Sequence, residues 1–167
     1  MDQTPNPFAD AVRSASRRPE IIAAISELYQ NLQNAIDKRR PLCVASGKCC
    51  QFERYGHRLY ITTAEMAASY AALRNHSHPP ENPTWNHSGC PFQIGRLCGI
   101  HSIRPFGCRI FFCDPTSTDW QQQEYENFHA RIKQLHQTHQ IPYFYMEWRQ
   151  ALGSLGLLPA IEEPHPI

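Results

Sequence analysis

Seven cysteines lie between Cys43 and Cys113, inside 71 of the chain's 167 residues. Thiols at that density pair as disulfides, sit inert in a core or ligate metal, and each outcome demands a different centre for the fold. Full pairing would leave one thiol over. Residues Met1 to Pro7 carry neither the basic nor the apolar stretch of an export signal, and no apolar run approaches the roughly 18 residues of a membrane span. The sequence therefore predicts a cytoplasmic chain without a membrane partner, where reducing conditions favour thiolate ligation of a metal over disulfides.

Length predicts one domain over 1–167. Its parts are an N-terminal helical brace at 1–42, a cysteine-cluster, metal-chelating core at 43–113, C-terminal helices at 114–158 and a poorly ordered tail at 159–167. Sixteen basic and fifteen acidic residues give a net charge of +1, and they are interspersed, so no nucleic-acid footprint stands out. Composition identifies no protein partner.

Ile21, Ile25, Leu28, Leu32 and Ile36 recur at helical spacing between Pro19 and Pro41, which predicts an amphipathic helix. A short strand is expected at Arg58–Ile61. Thr62 and Glu65 have the form of a capping box opening a second helix, with Met66, Tyr70 and Leu73 as its buried face down to Asn75. The Pro-, Asn- and His-rich stretch 76–88 reads as a surface loop. Cys90 to Cys98 reads as a small hairpin turning at Gly95 with a cysteine on each arm. Thr118 with Gln121 caps a long helix carrying Tyr125, Phe128, Ile132 and Leu135 and ending near Pro142, and a last helix is expected over 144–155. The fold class is mainly α with small β elements (α+β), its helices bracing an irregular centre nucleated by metal.

The thiols follow the pattern C-x5-C-C, then 39 residues, then C-x7-C-x9-C-x4-C. Short intervals wrap one ion at metal–sulfur distances of about 2.3 Å, and the long one clamps two distant segments together. The candidate ligands are Cys43, Cys49, Cys50, Cys90, Cys98, Cys108 and Cys113. Seven exceed what one tetrahedral zinc needs, so the count accommodates zinc sites or an iron-sulfur cluster held by four cysteines with three thiols to spare. Neighbouring side chains on extended backbone point apart, so Cys49 and Cys50 are suited to serve two different sites. Lys48, Arg104 and Arg109 flank the cysteines and are placed to offset thiolate charge. His101, three residues past Cys98, has ligand spacing but stays outside the candidate set.

The segments Gly47-Lys48-Cys49-Cys50, Cys90-Pro91-Phe92 and Cys98-Gly99-Ile100-His101-Ser102-Ile103-Arg104-Pro105-Phe106-Gly107-Cys108-Arg109 resemble the YkgJ-type cysteine-cluster family, described as a zinc- or iron-chelating domain. The resemblance spans roughly 43–113 and implies that all seven cysteines are chelating residues. Arg104, Pro105 and Arg109 match as well. The chain departs from the pattern at the first cluster, where members commonly carry one more cysteine and Ser46 stands in that neighbourhood. The family also includes flagellin lysine N-methylase, which makes a cluster-dependent redox or methyl-transfer enzyme the alternative to a metal-binding protein. Against that alternative, there is no Gly-rich nucleotide loop after a strand and no C-x3-C-x2-C radical motif. Candidate acid–base groups such as Glu53, Glu65, His101 and Asp114 lie near the cysteines in sequence, each with a ready role in capping, turns or surface charge. A zinc-stapled interaction module presenting Tyr143, Phe144, Tyr145 and Trp148 is the third reading.

Overall fold

The computed structural model describes residues 5–75 and 88–158. The surface loop expected at 76–88, apart from Ser88, and the tail at 159–167 lie outside them. The fold is mainly α with small β elements, as expected from the sequence.

A helix that the sequence reading did not anticipate comes first. In α1 (Pro7–Ser16) the Asn6 side chain accepts the Ala9 N–H at 3.0 Å, Pro7 occupies the first turn, and Phe8, Ala9, Val12 and Ala15 form the buried face. Ten residues with two large apolar side chains give a weak periodic signal, and such a helix is stable only when packed. α2 (Pro19–Arg39) follows and ends at Arg40 in the left-handed region, with the Arg40 N–H bonded to Ile36 O at 2.7 Å.

The apolar stripe of α2 reaches two cores. Ile21 and Ile25 join α1, α4 (Thr63–Asn75) and α7 (Trp148–Ser154) in the main core, which also takes in Cys50, Phe52 of the short α3 (Phe52–Tyr55), Cys90 and Phe92. Leu28, Leu32 and Ile36 pack with Phe106 and Ile110 at α5 (Phe106–Arg109) and with Phe128 and Ile132 of α6 (Thr118–Thr138). The brace thus ties both halves of the cysteine-bearing segment to one rigid rod.

The β elements are two antiparallel ribbons. β1 (Tyr60–Thr62) pairs with β4 (Tyr145–Glu147), and β2 (Gln93–Ile94) pairs with β3 (Leu97–Cys98). The helix expected over 144–155 is therefore shorter: Tyr145–Glu147 are strand, and α7 starts only at Trp148. The boundary is set by Glu147, whose carboxylate accepts the Arg149 and Gln150 N–H groups and caps α7. The hairpin forms with its turn at Gly95, but Cys90 precedes its first arm. Gln121 does not cap α6. Its side-chain oxygen accepts the Phe112 N–H at 2.9 Å, which fixes the chain beside Cys113.

The capping box at α4 is complete. Glu65 accepts the Thr62 N–H at 3.0 Å, and Thr62 Oγ1 accepts the Glu65 N–H at 3.5 Å. A second cap arrives from α6, where the buried His136 accepts the Ala64 N–H through Nε2 at 3.2 Å while Nδ1 faces Ile132 O at 2.9 Å. Accepting at Nε2 and donating at Nδ1 requires the neutral ring, and burial lowers its pKa from the ordinary histidine value. A histidine depressed on folding contributes stability that is present above its unfolded pKa of about 6.5 and lost as pH falls through the folded value. Urea unfolding between pH 7.5 and 5 should show wild type losing more stability than His136→Gln, which keeps an acceptor and a donor without the titration. Parallel curves would contradict this role.

Candidate metal centre

All seven cysteines line one cavity of about 360 Å³, together with His101, Arg104, Arg109 and Trp148. They arrive on six pieces of backbone. Cys49 and Cys50 sit on a single helical turn, Lys48–Cys50, opened by Gly47, so the extended conformation expected at the pair is absent. The Cys90 N–H donates to Cys50 O at 2.7 Å, and Gln93 Nε2 donates to Gly47 O at 3.2 Å, which stitches the hairpin to that turn. Cys98 lies on β3, Cys108 on α5, and Cys43 and Cys113 on the loops after α2 and before α6.

The thiols form an inner group and an outer pair. Cys50 and Cys90 are buried, Cys49, Cys98 and Cys108 half-buried, and Cys43 and Cys113 exposed. Cys50 lines the cavity beside Cys49, Cys90 and Cys98, and its thiol interacts with all three. Its thiol keeps the proton and its pKa rises, chiefly through the interaction with Cys49. The same contact brings Cys49 down to about 6 and Cys98 to about 7, with the Arg104 charge assisting both. Burial and the neighbouring sulfurs push the Cys108 thiol well up. The inner group therefore combines two cysteines of lowered pKa, Cys49 and Cys98, with two whose thiols are held protonated, Cys50 and Cys108, a donor set suited to a thiophilic ion that displaces the remaining protons. Among the described residues no three His, Cys, Asp or Glu side chains are already drawn into metal-ligand geometry. The fit rests on donor chemistry and on two orphaned donors in the same wall. Trp148 Nε1 and Arg104 Nε are buried without a hydrogen-bond partner among the described residues, and N–H groups in the wall of a thiolate site are what a bound anionic centre would satisfy.

The flanking cations divide their work. Arg104 acts on the inner thiolates. Arg109 donates to Arg104 O at 2.8 Å and to Ser102 O at 2.9 Å while stacking 4.1 Å from the Tyr29 ring centroid, so it braces the backbone of the loop. Lys48 stands over the Tyr55 ring and does not line the cavity. His101 is exposed at the rim, with burial and the two arginines lowering its pKa.

The supporting residues were harder to anticipate. Glu53 accepts the Gly89 N–H at 2.6 Å and pairs with Arg149, which holds its carboxyl down at about 2 despite partial burial and fixes the residue before Cys90. Glu65, fully buried, reaches beyond its own helix to accept the Phe106 N–H at 3.0 Å, at the start of the turn that carries Cys108. Trp148 lies wholly within the core, whereas Tyr143 and Tyr145 are exposed. A second cavity of about 250 Å³ reaches Cys49 and Cys108 from the side of Tyr60, Tyr125 and Tyr145. Among the described residues no helix is long and apolar enough to cross a membrane.

The family model "CxxCxxCC: Putative zinc- or iron-chelating domain" matches residues 42–137, more than half of the chain. No curated protein and no solved structure matches it.

Proposed function

This chain belongs to the CxxCxxCC family of zinc- or iron-chelating domains, and from that premise we propose that Cys49, Cys50, Cys90, Cys98 and Cys108 supply the ligands of a resident zinc or iron centre. The observation that carries the reading is the convergence of seven thiols from six backbone segments on one cavity. Sulfur-rich surroundings select zinc, iron or an iron-sulfur cluster over hard cations. When bound, such an ion supplies folding free energy to a centre with little regular structure. The protein's own residues do the rest: Arg104 offsets thiolate charge, Trp148 and Arg104 offer N–H groups to sulfur, and Glu53 and Glu65 fix the segments bearing Cys90 and Cys108.

The test is to purify the protein anaerobically and measure zinc, iron and acid-labile sulfide per chain, alongside Cys50→Ser. At least one zinc or iron per chain is expected in wild type, with most of it lost in the variant. Iron matched by sulfide, with broad absorbance near 400 nm (an approximate position) that bleaches in air, identifies a cluster. Wild-type protein that is folded and free of metal would overturn the reading.

The second cavity favours one alternative over the rest. Because it reaches Cys49 and Cys108 from a face lined by three tyrosines, the centre is open to a small molecule from a second side, as a cluster-dependent redox or methyl-transfer enzyme requires.

A further inference from the structure

The four cysteine positions of a CxxCxxCC run fall here on Cys43, Ser46, Cys49 and Cys50, so a hydroxyl stands where the family's pattern has its second thiol. The structure gives that substitution a place. Ser46 Oγ lies 3.8 Å from Cys113 Sγ, although 67 residues separate them in sequence. The two loops are riveted by Asp114, whose carboxylate accepts the Leu42 N–H at 3.0 Å, next to Cys43, and also the Thr116 N–H and the Ser117 hydroxyl at 3.0 and 2.8 Å. Those bonds hold its pKa far below the carboxylate range, and with its oxygens spent on donors Asp114 acts as a scaffold. Arg39 ties the same turn to the end of α2 through Thr116 O at 2.5 Å. Cys43 and Cys113 thus stand on two loops that Asp114 joins, with Ser46 against Cys113, at the exposed end of the cavity that the other five thiols also line.

We propose that Cys43 and Cys113 form a second, exchange-labile zinc site, left open at the position where Ser46 replaces a thiolate. A neutral serine hydroxyl is a poor zinc donor beside thiolate, and the ligands proteins give to zinc are thiolate, imidazole and carboxylate. Two thiolates leave a tetrahedral ion with two coordination positions for water or an incoming thiol, which is the arrangement of a site that exchanges rather than one that only staples. Exposure of both cysteines gives incoming ligands direct access. The site shares its cavity with the inner group, so an ion held there stands at the entrance to the buried centre. The inference rests on the reading that the inner thiols chelate metal, and adds to it a kinetic division within the seven.

The test loads full-length reduced protein with zinc alone and follows zinc transfer to a chromogenic chelator. Two pools are expected, one fast and one slow. Cys43→Ser with Cys113→Ser should remove the fast pool and leave the slow one, while Cys50→Ser should remove the slow pool. Ser46→Cys is the decisive variant, because it should slow the fast pool by roughly tenfold or more by supplying the third thiolate. Cobalt substitution provides a second readout, with sulfur-to-cobalt charge-transfer absorption rising in Ser46→Cys. A slow pool without a fast one, or a fast pool indifferent to residues 43, 46 and 113, overturns this inference and leaves the inner centre standing. Protein that takes up no zinc and purifies without metal overturns both.

Discussion

Glu65→Ala is expected to destabilise the protein by about 2–6 kcal/mol, a large share of the roughly 5–15 kcal/mol that holds a domain of this size together. Glu65 is 2% exposed, and its two oxygens serve three segments. One accepts the Thr62 N–H and the Thr62 hydroxyl at 3.0 and 2.7 Å. The other accepts the Phe106 N–H at 3.0 Å and the Tyr29 hydroxyl at 3.4 Å. Burial raises its pKa, while the bonds from Thr62, Phe106 and Tyr29 oppose that rise, and every partner is a donor, which suits the carboxylate. Alanine leaves two buried backbone N–H groups without acceptors at about 1–3 kcal/mol each. Glu65→Gln should also be costly, because its NH₂ must face one of the two donor pairs. Chemical denaturation gives the free energy, and hydrogen exchange at Phe106 gives the local effect, since the amide that opens the Cys108 turn loses its partner. A loss below about 1 kcal/mol for the alanine variant would mean that water replaces the carboxylate and that the site is less closed than described.

Glu65 also shows how much of the molecule was legible beforehand. Thr62 and Glu65 announced a capping box because both partners lie within one turn, and the stripe from Ile21 to Ile36 announced α2 because periodicity is a local signal. The link from Glu65 to Phe106 spans 41 residues and has no signature in spacing. The same limit hid β4. A three-residue strand is defined by its pairing with β1, and Tyr145 to Glu147 taken alone continue smoothly into the helix that follows. At the centre, the identity of the seven candidates was plain from their density, and all seven reach one cavity. Their grouping was not. The adjacent pair Cys49-Cys50 suggested two sites on the assumption of extended backbone, but a helical turn puts both sulfurs in the inner group. The division lies between that group and Cys43 with Cys113, whose loops are joined by the bond from the Leu42 N–H to Asp114, across 72 residues.

Gly89→Ala is expected to cost about 2–5 kcal/mol and to empty the inner centre, whereas Gly95→Ala should cost only about 1–2 kcal/mol and keep the metal. Both glycines hold positive φ, +67° and +62°, so both substitutions carry the penalty of placing a side chain in the left-handed region. Only their surroundings differ. A Cβ at Gly95 meets nothing within 4 Å among the described residues, but one at Gly89 would stand 2.6 Å from the Cys50 carbonyl oxygen. That oxygen accepts the Cys90 N–H at 2.7 Å, so the added methyl pushes apart the two strands of chain that bring the buried sulfurs together. Separating them breaks a buried backbone hydrogen bond, adding about 1–3 kcal/mol, and pulls against the Glu53 carboxylate that grips the Gly89 N–H from the other side. Urea unfolding in chelator isolates the backbone effect, and metal content after purification reads the consequence for the centre. Equal losses at the two glycines would mean that the left-handed backbone alone is responsible and that the close approach of Cys90 to Cys50 does not govern metal binding.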